Sequence, residues 1–144
     1  MRTRRSLVAL GGALILVLSG CGGNEAGPKP KQGGEPGPDA LPIKLTALTA
    51  DECYLSPAQQ LPKGCEKYVT ELSNTAGQVR KRAGDTDPRL SAQADALTRG
   101  VSAFRSASCT TQAAPGGACT QALTDLSSTL TAIQNLVKKQ ATTG

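Results

Sequence analysis

Apolar positions in this chain recur at three- and four-residue spacing in three long stretches, each marking one face of a helix. The first runs through Cys65, Tyr68, Val69, Leu72, Ala76, Val79 and Ala83, with Gly64 ahead of it and Gly84 closing it. The second runs through Leu90, Ala94, Leu97, Val101 and Phe104. Its start is signalled by Asp87, which can cap free amides, and by Pro88 at the first helical position, where a missing N–H costs nothing. Gly100 weakens this helix by about 1 kcal/mol relative to Ala, and its missing Cβ leaves room for a neighbouring helix. The third follows Pro115-Gly116-Gly117 and is the most regular: Cys119, Ala122, Leu123, Leu126, Leu130, Ile133, Leu136 and Val137. Three helices of about 20 residues joined by short turns must run up, down and up, so the fold class is all-α, an antiparallel three-helix bundle. The capping-box spacing of Thr49 and Glu52 adds a short leading helix over roughly residues 50–60, interrupted or ended near Pro57.

Cys53, Cys65, Cys109 and Cys119 give an even count in the helical part, which reads as two disulfides in an exported chain. In an up-down-up bundle all four fall at one end. Local pairing, Cys53 with Cys65 and Cys109 with Cys119, is the choice that topology favours, and the crossed patterns remain open. A metal site fits poorly, because zinc ligands come as close cysteine pairs, often with histidine, and this chain has no His. Neither does it carry the Cys-x-x-Cys of a redox enzyme.

The N-terminus breaks the helical pattern. A basic start through Arg2, Arg4 and Arg5, an apolar run from Leu7 to Leu18, and the small residues Ser19 and Gly20 form a secretory signal layout. As a helix the apolar run would span only ~18 Å, against the ~30 Å of a bilayer core. Leu18-Ser19-Gly20-Cys21 resembles the lipobox of bacterial lipoproteins. The resemblance implies cleavage before Cys21 and a diacylglyceryl group on its thiol, and two acyl chains hold a protein on a bilayer far better than one. In its Ala, Gly, Thr and Arg bias the whole chain resembles small actinobacterial lipoproteins. Thr3-Arg4-Arg5-Ser6-Leu7 also matches a loose twin-arginine motif, so the export route stays open between that pathway and the general one.

From Gly22 to Ala40, ten of nineteen residues are Gly or Pro, which cannot bury a core, so this stretch reads as a disordered tether. The expected organisation is a signal peptide at residues 1–20, lipidated cysteine and tether at 21–44, helical domain at 45–140 and a flexible tail at 141–144.

Charge changes this picture little. The formal +5 falls to +2 once Arg2, Arg4 and Arg5 leave with the signal. With only Tyr54, Tyr68 and Phe104 as aromatics, there is little to stack on bases, and no nucleic-acid partner is expected. Without histidine the common general base is missing, and no Gly-x-Ser-x-Gly elbow or Ser-x-x-Lys pair activates a serine, so neither enzyme chemistry nor a cofactor is expected. One charge cluster stands out: Arg80-Lys81-Arg82 with Arg89 beyond the turn, placed by the bundle at the end opposite the cysteines, near Lys138 and Lys139. Basic residues near a helix C-terminus favour its exposed carbonyls, which accounts for part of the cluster. The rest is a candidate patch for an acidic envelope polymer, anionic lipid or acidic protein.

The expectation from sequence is therefore a membrane-anchored cell-envelope lipoprotein on the extracytoplasmic face, held through Cys21 and acting as a non-enzymatic interaction module. The alternative is a small-molecule or lipid-binding accessory protein with a cavity in the helical bundle.

Overall fold

The computed structural model describes residues 40–143. The expected signal peptide, Cys21 and the tether as far as residue 39 lie outside the described residues. What is described is all-α and carries two disulfides. The three long helices are α3 (Glu66–Ala83), α4 (Pro88–Ser106) and α5 (Gly117–Thr143), preceded by α1 (Ala40–Leu48) and the single turn α2 (Glu52–Leu55).

The apolar stripes are the core. Leu72, Val79, Leu90, Leu97, Phe104, Leu123, Leu126, Leu130 and Ile133 are wholly buried. Only Leu136 of the expected stripes stays half-buried, packed against the edge of the core. Antiparallel neighbours α3 and α4 pack along their lengths, as do α4 and α5, making an antiparallel three-helix bundle with α4 in the middle. Asp87 caps α4 as expected, its Oδ1 accepting from the Leu90 amide at 2.9 Å, with Pro88 at the first helical position. Gly84 closes α3 with φ 50° and ψ −145°, a conformation that side chains oppose and glycine accepts. At Gly100 a Cβ would stand 2.7 Å from Leu126 Cδ2, so its absence lets α5 seat Leu126 against α4.

Three corrections concern the ends of the domain. The tether does not extend to residue 44. Ala40 already begins α1, whose Leu41, Leu45 and Leu48 are buried at i, i+4 and i+7 and pack against both α3 and α5. Those two helices meet closely at few points of their own, so α1 is the wedge between them. Burying three leucines is worth roughly 5–9 kcal/mol gross, enough to order a nine-residue helix that would not persist alone. The expected leading helix at 50–60 contracts to α2, which ends before Pro57. Its cap is Asp51, whose Oδ1 accepts from the Cys53 amide at 2.8 Å, while the Thr49 hydroxyl turns back to donate to the Thr46 carbonyl at 3.1 Å. Residues 141–143 are not a tail, because α5 continues to Thr143.

The disulfides take the local pairing. Cys53–Cys65 and Cys109–Cys119 bridge Cα atoms 5.8 and 5.4 Å apart. Cys65 ends a 3-10 turn (Pro62–Cys65) and Cys109 begins another (Cys109–Thr111). The Lys63 amide donates to the Gln112 carbonyl at 3.1 Å, tying the two cystine-bearing loops together. Deeper in the core Tyr68 is buried, and its hydroxyl has no hydrogen-bond partner among the described residues. Burial pushes its pKa well above the ordinary phenol value; the nearby Ser127 hydroxyl opposes that shift, but donates its own proton to the Leu123 carbonyl at 2.9 Å.

Candidate functional site

The end opposite the cystines is where the basic cluster of the sequence comes together, and the fold divides it. Arg80 turns toward α4 and forms an ion pair with Asp95, both side chains about half exposed. Such surface pairs contribute at most about 1 kcal/mol, but this one directs Arg80 along the α3–α4 side. Arg82 turns the other way, its Nε donating to Gln140 Oε1 on α5 at 3.0 Å. Gln140 in turn donates through Nε2 to Asp87 Oδ2 at 2.8 Å. One α5 amide thus joins the last turn of α3 to the cap of α4. Lys81, the third member of the run, is also engaged within the fold.

The Asp87 carboxyl is held below its usual pKa chiefly by the Leu90 amide hydrogen bond, with Gln140 and Arg89 acting in the same direction. At the far side of the molecule the Lys44 ammonium, 2.9 Å from Glu71, lowers the Glu71 pKa and fastens α1 to α3.

Arg89, the fourth residue of the cluster, faces a different feature. Between the start of α4 and the later turns of α5 lies an open groove of about 470 Å³. One wall is Arg89 and Gln93; the other is Asn135 and Lys139. In each pair the residues are four apart, so each wall carries a cation and, one helical turn further along, an amide. The bond from Gln140 to Asp87 holds the last turns of α5 beside the start of α4, and Lys139 stands at the same end of the groove as Arg89. Ala92, Ala132 and Leu136 supply its apolar lining, and the two alanines are what leave the space open. No carboxylate belongs to the lining. Among the described residues neither Arg89 nor Lys139 lies within ion-pairing distance of an acid.

Of the residues singled out by sequence, the four core cysteines are thus structural, Arg80, Lys81 and Arg82 are engaged within the fold, and Arg89 lines a groove. Cys21 lies outside the described residues. Sequence reasoning placed Lys139 near the cluster but missed Gln93 and Asn135. Their only signal was polar residues four from a cation on two helices whose facing positions are alanine. This groove lies on the surface of the bundle, not inside it as the cavity of the alternative reading would. Among the described residues no group of three or more Cys, Asp or Glu is placed to hold a metal ion, and no helix is long and apolar enough to cross a membrane.

Comparison of the chain with protein-family models, curated proteins and solved structures returns no match.

Proposed function

We propose that this chain is a lipid-anchored protein of the extracytoplasmic face of the cell membrane, and that its helical domain is a non-enzymatic interaction module. The lipobox-like Leu18-Ser19-Gly20-Cys21 supports the anchor. Two cystines, which persist in oxidising compartments, support the address. The observation that carries the interaction role is the α4–α5 groove, with cations on both walls, an apolar lining and no acid of its own. A surface that gathers cations not engaged in ion pairs beside accessible apolar area is complementary to a partner of opposite sign.

The anchor is tested by growing the producing cells with an alkyne fatty acid and comparing wild type with Cys21→Ser. The wild-type chain should take up label and sediment with membranes, and the variant should do neither. Equal labelling of the two sinks the anchor. The interaction role is tested by changing Arg89 and Lys139 to Gln and following retention on isolated cell envelopes depleted of the endogenous protein. Retention should fall for the variant at low salt and for both forms at high salt, since exposed charges are screened beyond roughly 8–10 Å at physiological ionic strength. Retention that ignores both the substitution and the salt sinks that role.

A further inference from the structure

We infer that the α4–α5 groove binds a short acidic peptide segment of a partner protein, in extended form, with a carboxylate between Arg89 and Lys139 and its main chain read by Gln93 and Asn135. The inference deepens the interaction role proposed above and rests on it.

The choice of ligand follows from the order of groups along the groove. Two cations stand at one end, and neither forms an ion pair among the described residues; the nearest acid known to feel one of them, Asp87, is already held by the Leu90 amide and Gln140. That end calls for an anion, and Arg in particular can hold a carboxylate through two parallel hydrogen bonds. One turn further in, where an alkyl chain would need apolar walls, the groove instead presents the side-chain amides of Gln93 and Asn135. Each amide offers both donors and an acceptor, a set that matches a peptide main chain and is wasted on a hydrocarbon tail. Laying an alkyl chain across them would strip them of water with nothing in return. The remaining apolar lining, Ala92, Ala132 and Leu136, offers room for a small aliphatic side chain. From Ala132 to Lys139 the groove runs about 10 Å along α5, the length of roughly three extended residues. That is too short for a docked helix of several turns and suits a linear segment.

The test uses the full chain purified in a non-ionic detergent and a displayed library of random seven-residue peptides. Selected peptides should be enriched in Asp and Glu next to small aliphatic residues. A fluorescent copy of the best one should bind saturably, and more weakly as salt is raised. Arg89→Gln with Lys139→Gln should weaken it roughly tenfold or more. Ala92→Leu, which fills the groove from an exposed position and leaves both cations in place, should weaken it comparably. Arg80→Gln, on the α3–α4 side, should leave it within about twofold. Circular dichroism identical to wild type confirms that the variants are folded. Selection without acidic enrichment overturns the inference, as does binding that survives both groove variants. Saturable binding of dodecanoate that displaces the peptide and is lost in Ala92→Leu would assign the groove to an anionic amphiphile instead. None of these readings depends on Cys21, so loss of the anchor and loss of the peptide site are told apart.

Discussion

The two ends of the bundle are built on opposite plans. At one end the connections are long: ten residues separate α4 from α5, and α1 is followed by a winding segment before α3 begins. Their backbone hydrogen bonds are local turns apart from the one between Lys63 and Gln112, and both loops are closed by a cystine whose buried sulfurs add to the core. At the other end α3 and α4 are joined by the four residues Gly84–Asp87, held by a positive-φ glycine, an aspartate cap and the bridging Gln140. A short turn has little loop entropy for a crosslink to remove, and a long one has more. Covalent closure therefore sits where the connections are longest, while the tight end is left with exposed polar and charged side chains available for contact.

The largest expected effects, of the same order, break the cystine end and the wedge. The bridges close loops of 12 and 10 residues in sequence separation, and reducing either is expected to cost about 2–4 kcal/mol. Urea unfolding of Cys53→Ser/Cys65→Ser and of Cys109→Ser/Cys119→Ser should show each loss separately. The wedge is tested by the leucine at its centre. Leu45 is wholly buried between α3 and α5, so Leu45→Ala should cost roughly 2–5 kcal/mol, whereas Ile43→Ala, on the exposed outer face of α1, should change stability by less than about 0.5 kcal/mol. Equal and small effects would show that α1 is not part of the core.

A smaller change separates packing from propensity. Gly100→Ala gains about 1 kcal/mol of helix propensity but drives a methyl against the buried Leu126, and such crowding costs about 1–3 kcal/mol. A net loss near 1 kcal/mol is expected, and pairing it with Leu126→Ala should turn the alanine at 100 from a penalty to a gain in a double-mutant cycle.

The smallest effect is confined to acid and to the tight end. The folded-state pKa of Asp87 lies below its unfolded value, so its contribution is present above about pH 4, the unfolded carboxyl range, and is lost as pH falls through the lower folded value. Asp87→Asn should flatten that part of the acid limb while keeping an oxygen that can cap α4. The cystines have nothing to titrate, so their variants should leave the shape of the acid limb unchanged.

How much of this was legible in the letters depends on how far each feature is from local. The stripes of α3, α4 and α5 extend over four or more turns, so periodicity identified them, and Asp87-Pro88 and Gly84 marked ends because cap chemistry is local. The cystine pairing followed from topology, since both pairs are near neighbours at one end. Helix α1 was missed because three leucines over nine residues, beside Pro42 and after a Gly/Pro run, are too few to set a period. What orders it is the gap between α3 and α5, which no local pattern encodes. Thr49 looked like a cap through the same spacing rule that worked elsewhere, but Asp51, two residues before the Cys53 amide, was better placed. The groove was hidden because it depends on small side chains meeting across two helices, whose register is set by long-range packing of their buried stripes.

The position of α1 also has a mechanical side. Tension on the chain ahead of Ala40 would act first on Leu41 and Leu45, peeling the wedge out of its cleft turn by turn. Peeling stops at Cys53, where the bond to Cys65 passes the pull directly to the start of α3. Only the thirteen residues from Ala40 to Leu48 and on through Glu52 can pay out, a length of roughly 45 Å, before further extension must break a covalent link or unravel the bundle. A load applied ahead of Ala40 would thus meet a short extensible lead with a hard stop before it reached the helices that line the groove.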